Sequence, residues 1–202
     1  MKHQLRFWCI MLLLSVFGAT WAKKTYHLEQ VTSVEASSLY VFEQGGHVMN
    51  NSVSSGALQT TTSYEKKGLT GTETYVWTLV SATGGFKMKN VSNGTSDNLL
   101  INSSSTDVSL GSKGSVWAFN FRDGGTCLIQ NKSNEDRFLG YTSSTSYVYK
   151  AYATNNLESY PHAIKVYKLV ETNNSLMGDL NNDGEVNIMD VNILINIILG
   201  KE

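Results

Sequence analysis

Cysteine, proline and long helical periodicity are nearly missing from this chain, and each shortage narrows what it can be. Two cysteines occur in 202 residues. Cys9 lies in an N-terminal apolar run, so Cys127 stands alone in the main body and no internal disulfide can staple it. Stability must then come from packing and from bound ions. Cys127 sits in the strand-like run Cys127-Leu128-Ile129 and reads as a small buried residue rather than a reactive thiol. Pro161 is the sole proline. An excess of one charge is missing too. Between 25 and 171, twelve Asp and Glu face eleven Lys and Arg, interspersed, which removes the electrostatic ground for binding nucleic acid. Enzyme motifs are scarce. His27, His47 and His162 lack metal-ligand spacing, and neither Gly-x-Ser-x-Gly nor a phosphate loop occurs. Glu43, Glu65 and Glu73 would form a glycosidase pair only if the fold joined two of them.

What is present begins with a targeting pattern. Met1 to Arg6 carries positive charge, Phe7 to Phe17 is apolar, and Thr20-Trp21-Ala22 offers small residues where a signal peptidase inspects. An apolar run of about eleven residues is too short for a bilayer, which needs roughly twenty. Residues 1–22 are therefore expected to be a secretory signal, leaving a secreted or cell-surface protein with no transmembrane anchor.

From 25 to 171 the chain is rich in Ser, Thr, Asn, Gly, Val and Tyr. Short β-branched or aromatic runs alternate with Gly, Asn and Ser clusters, which predicts an all-β domain. Leu39-Tyr40-Val41-Phe42, Tyr75 to Val80, Val116 to Phe121, Phe138 to Tyr141 and Ile164 to Leu169 are such runs. They also repeat. Gly-Gly pairs start at Gly45, Gly84 and Gly124, and Trp77 and Trp117 each precede a pair by seven residues. Each pair is followed by a strand ending in an Asn/Ser turn, such as Asn90-Val91-Ser92 or Asn131-Lys132-Ser133, and then by a further short strand. A fixed period of about forty residues must be weighed before any fold assignment.

Three such units resemble a β-trefoil, and the order of Trp, Gly-Gly, Asn-x-Ser and Leu is similar to the ricin-type lectins over roughly Tyr40 to Leu169. Tyr75-Val76-Trp77 and Ser115-Val116-Trp117 stand where those lectins carry Gln-x-Trp, and Lys165-Val166-Tyr167 closes the third unit. The resemblance implies a carbohydrate-binding role toward a polysaccharide or glycan. Another closed β-barrel or a sandwich is the alternative architecture. The candidate ligand surface lies in the third unit, where Tyr147, Tyr149 and Tyr152 cluster with Tyr141. Alternation in Tyr147-Val148-Tyr149-Lys150 puts two rings on one strand face. Exposed, they would stack on sugar rings; buried, they would belong to the core. Trp77 and Trp117 read as core.

After a polar linker at 172–177, the segment 178–202 changes character, with five acidic residues to one basic from 176 onward. Counting Asp179 as position one, oxygen-bearing side chains recur at Asp179, Asn181, Asp183, Glu185, Asn187 and Asp190, with Gly184 at position six. That is the EF-hand loop spacing, and a hard cation such as Ca2+ takes six to eight oxygens from such alternate residues. Glu185 would ligate through its carbonyl, and Val186 would point inward. A helix is expected from Asp190 to Leu199, with Gly200 as its stop signal.

A loop followed by one helix resembles the type I dockerin repeat of exported bacterial proteins. Gly178 to Gly184 and Ile198-Leu199-Gly200 carry the likeness. The resemblance implies Ca2+ binding and a cohesin-like protein partner met through Val191–Leu199. Here a single repeat is present, and Ile188 and Met189 occupy the tenth and eleventh loop positions. Seven of the nine residues from Val191 to Leu199 are apolar, and a helix apolar nearly all round is expected to be buried. It would dock on the β-domain, pair with another chain or enter a receptor groove. Three functions follow: an exported carbohydrate-binding or adhesion module, an assembly protein acting through this helix, or a small polysaccharide-degrading glycoside hydrolase. The first is preferred, and no catalytic residue is assigned.

Overall fold

The computed structural model describes residues 24–92, 100–142, 147–153, 164–172, 178–181 and 185–201. The expected signal at 1–22, most of the linker and the loop residues Asn182, Asp183 and Gly184 lie outside the described residues. The chain divides into two compact units, Lys24–Thr172 and a C-terminal unit described over 178–181 and 185–201.

The first unit is all-β. Six of its strands pair antiparallel in a closed ring: β2 (Leu39–Gln44), β6 (Trp77–Ala82), β7 (Gly85–Asn90), β10 (Trp117–Phe121), β11 (Thr126–Asn131) and β14 (Ile164–Glu171). β14 closes it by pairing with both β11 and β2. Three hairpins lie off the ring: β3 (His47–Ser54) with β4 (Ala57–Thr61), β8 (Leu100–Asn102) with β9 (Ser109–Gly111), and β12 (Arg137–Thr142) with β13 (Val148–Ala153). β1 (Tyr26–Gln30) pairs with β14 and β5 (Lys67–Leu69).

Sequence dictates the turns. Each Gly-Gly pair marks a hairpin: Gly45-Gly46 lies between β2 and β3, Gly124-Gly125 lies between β10 and β11, and Gly84 lies in the β6–β7 turn with Gly85 opening β7. Gly45 and Gly46 both have positive φ, 62° and 83°, as a two-residue hairpin loop requires. Gly85 answers a different need. A Cβ there would stand 2.3 Å from the Trp117 carbonyl oxygen, so glycine is what lets β7 and β10 come together.

Packing follows the strand period of two. In β11, Cys127, Ile129 and Asn131 are buried, while Thr126, Leu128 and Gln130 are partly exposed. Phe42, Leu79, Met88, Ile129 and Val166 carry the ring strands into one core cluster with Trp77 and Trp117. Val41, Leu69, Val76 and Leu169 form a second cluster, so β2 is covered on both faces. Full burial of each large apolar side chain contributes about 1.5–3 kcal/mol. The two tryptophans differ in one respect: Trp77 Nε1 donates to the Met49 carbonyl at 3.1 Å, whereas buried Trp117 Nε1 has no partner among the described residues.

The repeated Asn/Ser turns have a structural role. Asn90 is fully buried; its Oδ1 accepts from Ser92 N and its Nδ2 donates to the carbonyls of Thr74 and Val76. Asn131 repeats the device, with Oδ1 accepting from Ser133 N and Nδ2 donating to the Ser103 carbonyl. These are side-chain turns that satisfy backbone groups inside the fold.

In the C-terminal unit, α1 spans Ile188–Ile198 and starts two residues earlier than the sequence suggested. Asn187 is its N-cap and forms a capping box with Asp190. Gly200, at φ 62°, ends it in a Schellman turn, with Lys201 N donating to the Asn196 carbonyl and Gly200 N to that of Ile197.

Candidate functional site

The aromatic candidate assembles from four elements. The Gly45-Gly46 turn delivers His47 at the start of β3, and β12 brings Tyr141. Tyr147 immediately precedes β13, and Thr60 lies on β4. The imidazole of His47 stacks on the Tyr147 ring, centroids 4.2 Å apart and planes 11° from parallel. Tyr141 stands 5.7 Å from Tyr147 and 5.4 Å from His47. Thr60 Oγ1 donates to the Tyr147 carbonyl at 2.7 Å and lies 3.5 Å from His47 Nδ1. Tyr147 is thus held from its backbone while the residue stays 52% exposed.

This arrangement corrects the strand-face expectation. Val148, Tyr149, Ala151 and Tyr152 are all buried, so both faces of β13 are covered. Tyr149 and Ala151 belong to the main core cluster, which is why alternation does not free the second ring. Tyr149 is fully buried, with its hydroxyl near the carbonyls of His47 (3.3 Å) and Phe42 (3.5 Å). Burial pushes its pKa well up, with the Glu43 carboxylate adding to the shift. Tyr152 is 8% exposed. Of the three tyrosines singled out, Tyr147 alone presents a ring to solvent. His47 and Thr60 completed the site without having been expected there. The one sequence signal for His47 was its place directly after a Gly-Gly turn. Burial also raises the Tyr141 pKa, with Tyr147 contributing, so the Tyr141 hydroxyl remains a hydrogen-bond donor at neutral pH.

Of the three carboxylates considered for glycosidase chemistry, Glu43 and Glu73 serve turns. Glu43 is buried and accepts from Gly46 N at the β2–β3 turn. Glu73 Oε1 accepts from Thr70 N at 2.6 Å and Thr70 Oγ1 at 2.9 Å. Cys127 is buried, and desolvation pushes its thiol pKa up to about 12, which keeps it protonated and unreactive.

In the C-terminal unit the expected cation ligands fall as follows. Asp179 and Asp190 are 8% and 2% exposed. Asp190 Oδ1 accepts from Leu180 N at 2.8 Å and Asn181 N at 3.3 Å, and its Oδ2 accepts from Asn187 N at 2.8 Å. The Asn187 N–H chiefly, then those of Leu180 and Asn181, hold its carboxyl below the usual range, against the opposing effect of burial. Asn187 Oδ1 accepts from Met189 N. Asp183 lies outside the described residues, and no group of three His, Cys, Asp or Glu converges among those described. Val186 departs from expectation: it is 56% exposed, with its Cγ1 3.3 Å from where a Cβ on Gly178 would stand. On the helix, Val191, Leu194, Ile195, Ile197, Ile198 and Leu199 are 45% to 73% exposed in the single chain, and the buried residue of α1 is Asp190.

No family model matches this sequence, and no curated protein is similar to it. Among solved structures, the lysenin pore aligns at 14% identity and a TM-score of 0.46, over 72% of this chain and 49% of lysenin's. The complex of lysenin with phosphocholine aligns at 13% identity and 0.47, over 70% and 46%. The chain spans about half the length of those proteins. No described helix is long and apolar enough to cross a membrane.

Proposed function

We propose that this chain is an exported, non-enzymatic binding module whose β-unit takes a carbohydrate and whose C-terminal repeat takes Ca2+. The observation that carries the carbohydrate reading is the exposed Tyr147 ring, stacked on His47 and anchored through its carbonyl by Thr60. A flat ring held in place offers a stacking face at low entropic cost. The six-stranded ring with its three outlying hairpins supports reading the unit as a β-trefoil. A glycan array with the full-length protein tests the function. Binding should fall about tenfold or more in Tyr147→Ala with an unchanged melting temperature. Undiminished binding by that variant would refute the platform.

The cation reading rests on the donor set. Asp179, Asn181, Asp183, Asn187 and Asp190 would hold Ca2+ by side-chain oxygens and Glu185 by its carbonyl. Asp190 accepts three backbone hydrogen bonds, which leaves lone-pair capacity on its two oxygens. Two buried carboxylates in one short loop favour a bound cation. The double variant Asp179→Ala, Asp183→Ala should show no Ca2+ heat in calorimetric titration, and an unchanged isotherm would sink this assignment.

A second reading is favoured by a separate observation, the exposure of the α1 apolar side chains. It places the working surface at Val191–Leu199, toward a cohesin-like or other protein partner. Silence on the glycan array combined with Ca2+ binding would support this reading over the first.

A further inference from the structure

A groove of about 330 Å3 runs beside the tip of the β3–β4 hairpin, away from the aromatic platform at its base. Gly56, Asn102, Ser104, Ser105, Asp107 and Ser109 give it a polar wall, and Val53 and Val108 give it an apolar side. The segment joining β8 to β9 forms most of that wall, and its backbone is fastened from several directions. Ser115 Oγ accepts from Ser103 N at 2.9 Å and donates to the Ser103 carbonyl at 3.0 Å, and Asn131 Nδ2 donates to the same carbonyl. Ala151 N donates to the Thr106 carbonyl, Arg137 Nη1 to Thr106 Oγ1 at 2.7 Å, and Val108 N to the Gly56 carbonyl. Three of these anchors, Ser115, Asn131 and Ala151, are buried.

Asp107 is placed with equal care. Gly56, at φ 69°, leaves the space its carboxylate occupies: a Cβ there would stand 2.4 Å from Asp107 Cγ. Lys150 Nζ fixes one oxygen, Oδ1, at 2.9 Å. By contrast, Asn102 Nδ2, Ser104 Oγ, Ser109 Oγ and Asp107 Oδ2 have no hydrogen-bond partner among the described residues. The backbone is ordered, and the side chains are left facing the groove's solvent.

We infer that this groove is a second carbohydrate subsite, selecting a neutral oligosaccharide through its hydroxyls; the inference rests on the carbohydrate reading above. Hydroxyls and an amide both donate and accept, as do the hydroxyls of a sugar. The single carboxylate is already neutralised by Lys150, so the groove offers no net charge to hold a free ion. Val53, 42% exposed, suits the apolar C–H face of a pyranose ring. The volume is within the range of small-molecule sites, roughly 300–1,000 Å3. Thr60 beside the platform and Ala57, which follows Gly56 of the groove, are three residues apart along β4. At about 3.3 Å per residue that is roughly 10 Å, so the hairpin serves an oligosaccharide better than a single sugar.

The test is a residue-resolved NMR titration of the full-length protein with glucose and with malto-, cello-, xylo-, manno- and chitotetraose. At least one tetraose should shift the amides of Gly56, Ser104, Asp107 and Ser109. Asp107→Ala should weaken that tetraose about tenfold, and Ser104→Ala with Ser109→Ala should weaken it by a smaller factor, both without moving the melting temperature. Shifts confined to His47, Thr60 and Tyr147 would overturn the groove and leave the platform standing. Shifts of the groove amides by CaCl2 alone would overturn it in favour of a cation site. No shift anywhere with any sugar would overturn both the groove and the platform.

Discussion

In the β-unit, Val41, Ile129, Leu139 and Val166 are fully buried, whereas in the C-terminal unit Ile195, Ile197 and Ile198 are 45%, 63% and 73% exposed. The same residue types therefore serve two kinds of order. Strands of the first unit hold their shape because side chains from several elements meet in two core clusters. The helix of the second is defined at its ends, by a capping box at Asn187 and a Schellman turn at Gly200, and by a loop gathered onto the Asp190 carboxylate. One unit is organised by burial and the other by local backbone hydrogen bonds. An isolated helix of eleven residues is marginal in water, so its loop and caps, with a cation where one is bound, must supply what a core supplies elsewhere.

The sharpest way to break this contrast is to truncate one large apolar residue in each unit. Trp117→Ala should cost about 3–5 kcal/mol of β-unit stability in chemical denaturation, while Ile198→Ala should stay within about 0.5 kcal/mol. Similar costs for the two would mean that α1 is covered as thoroughly as the ring. A smaller effect sharpens the helical side. Asn187→Ala should remove about 1 kcal/mol of helix stability, read as faster amide exchange from Met189 to Ile193, with tryptophan fluorescence of the β-unit unmoved.

The smallest effect concerns a carboxylate of the β-unit that caps backbone much as Asp190 does. Partial burial raises the Glu73 pKa, but the Thr70 N–H, its own N–H, the Thr70 hydroxyl and the Gly71 N–H together hold it below the ordinary glutamate range. A depressed carboxylate pKa stabilises the fold above its unfolded value, and that contribution is lost as pH falls through the folded value. Acid titration of Glu73→Gln should accordingly show a shallower loss of stability below about pH 5 than the unaltered protein. Superimposable curves would show that Glu73 titrates as if unfolded.

Much of the β-unit was legible because its signals are local. Leu39 to Phe42, Val116 to Phe121 and Ile164 to Leu169 lie in or overlap β2, β10 and β14, since β-branched and aromatic runs between turn residues state their own conformation. The Gly-Gly pairs marked hairpins for the same reason. β1 and β5 escaped notice: Tyr26–Gln30 and Lys67–Leu69 are short and largely polar, and their pairing is decided by β14 and by each other. The aromatic site was half legible. Four tyrosines within twelve residues flagged the region, yet no pattern in 141–152 could say that Tyr149 would enter the main core cluster and that His47, about a hundred residues earlier, would stack on Tyr147. The groove left no mark beyond a run of serines, because its character lies in which backbone groups are tied down and which hydroxyls are left over.

By itself, the sequence determined the all-β character of 25–171, the hairpin turns and the capped C-terminal helix, since each depends on φ, ψ and hydrogen bonds within a few residues. Tertiary structure decided which aromatics are core and which are surface, where Asp107 rests, and that Glu43 and Glu73 serve turns. Those outcomes depend on what arrives from distant parts of the chain, and burial and solvent exposure are properties of the assembled fold that no local pattern contains.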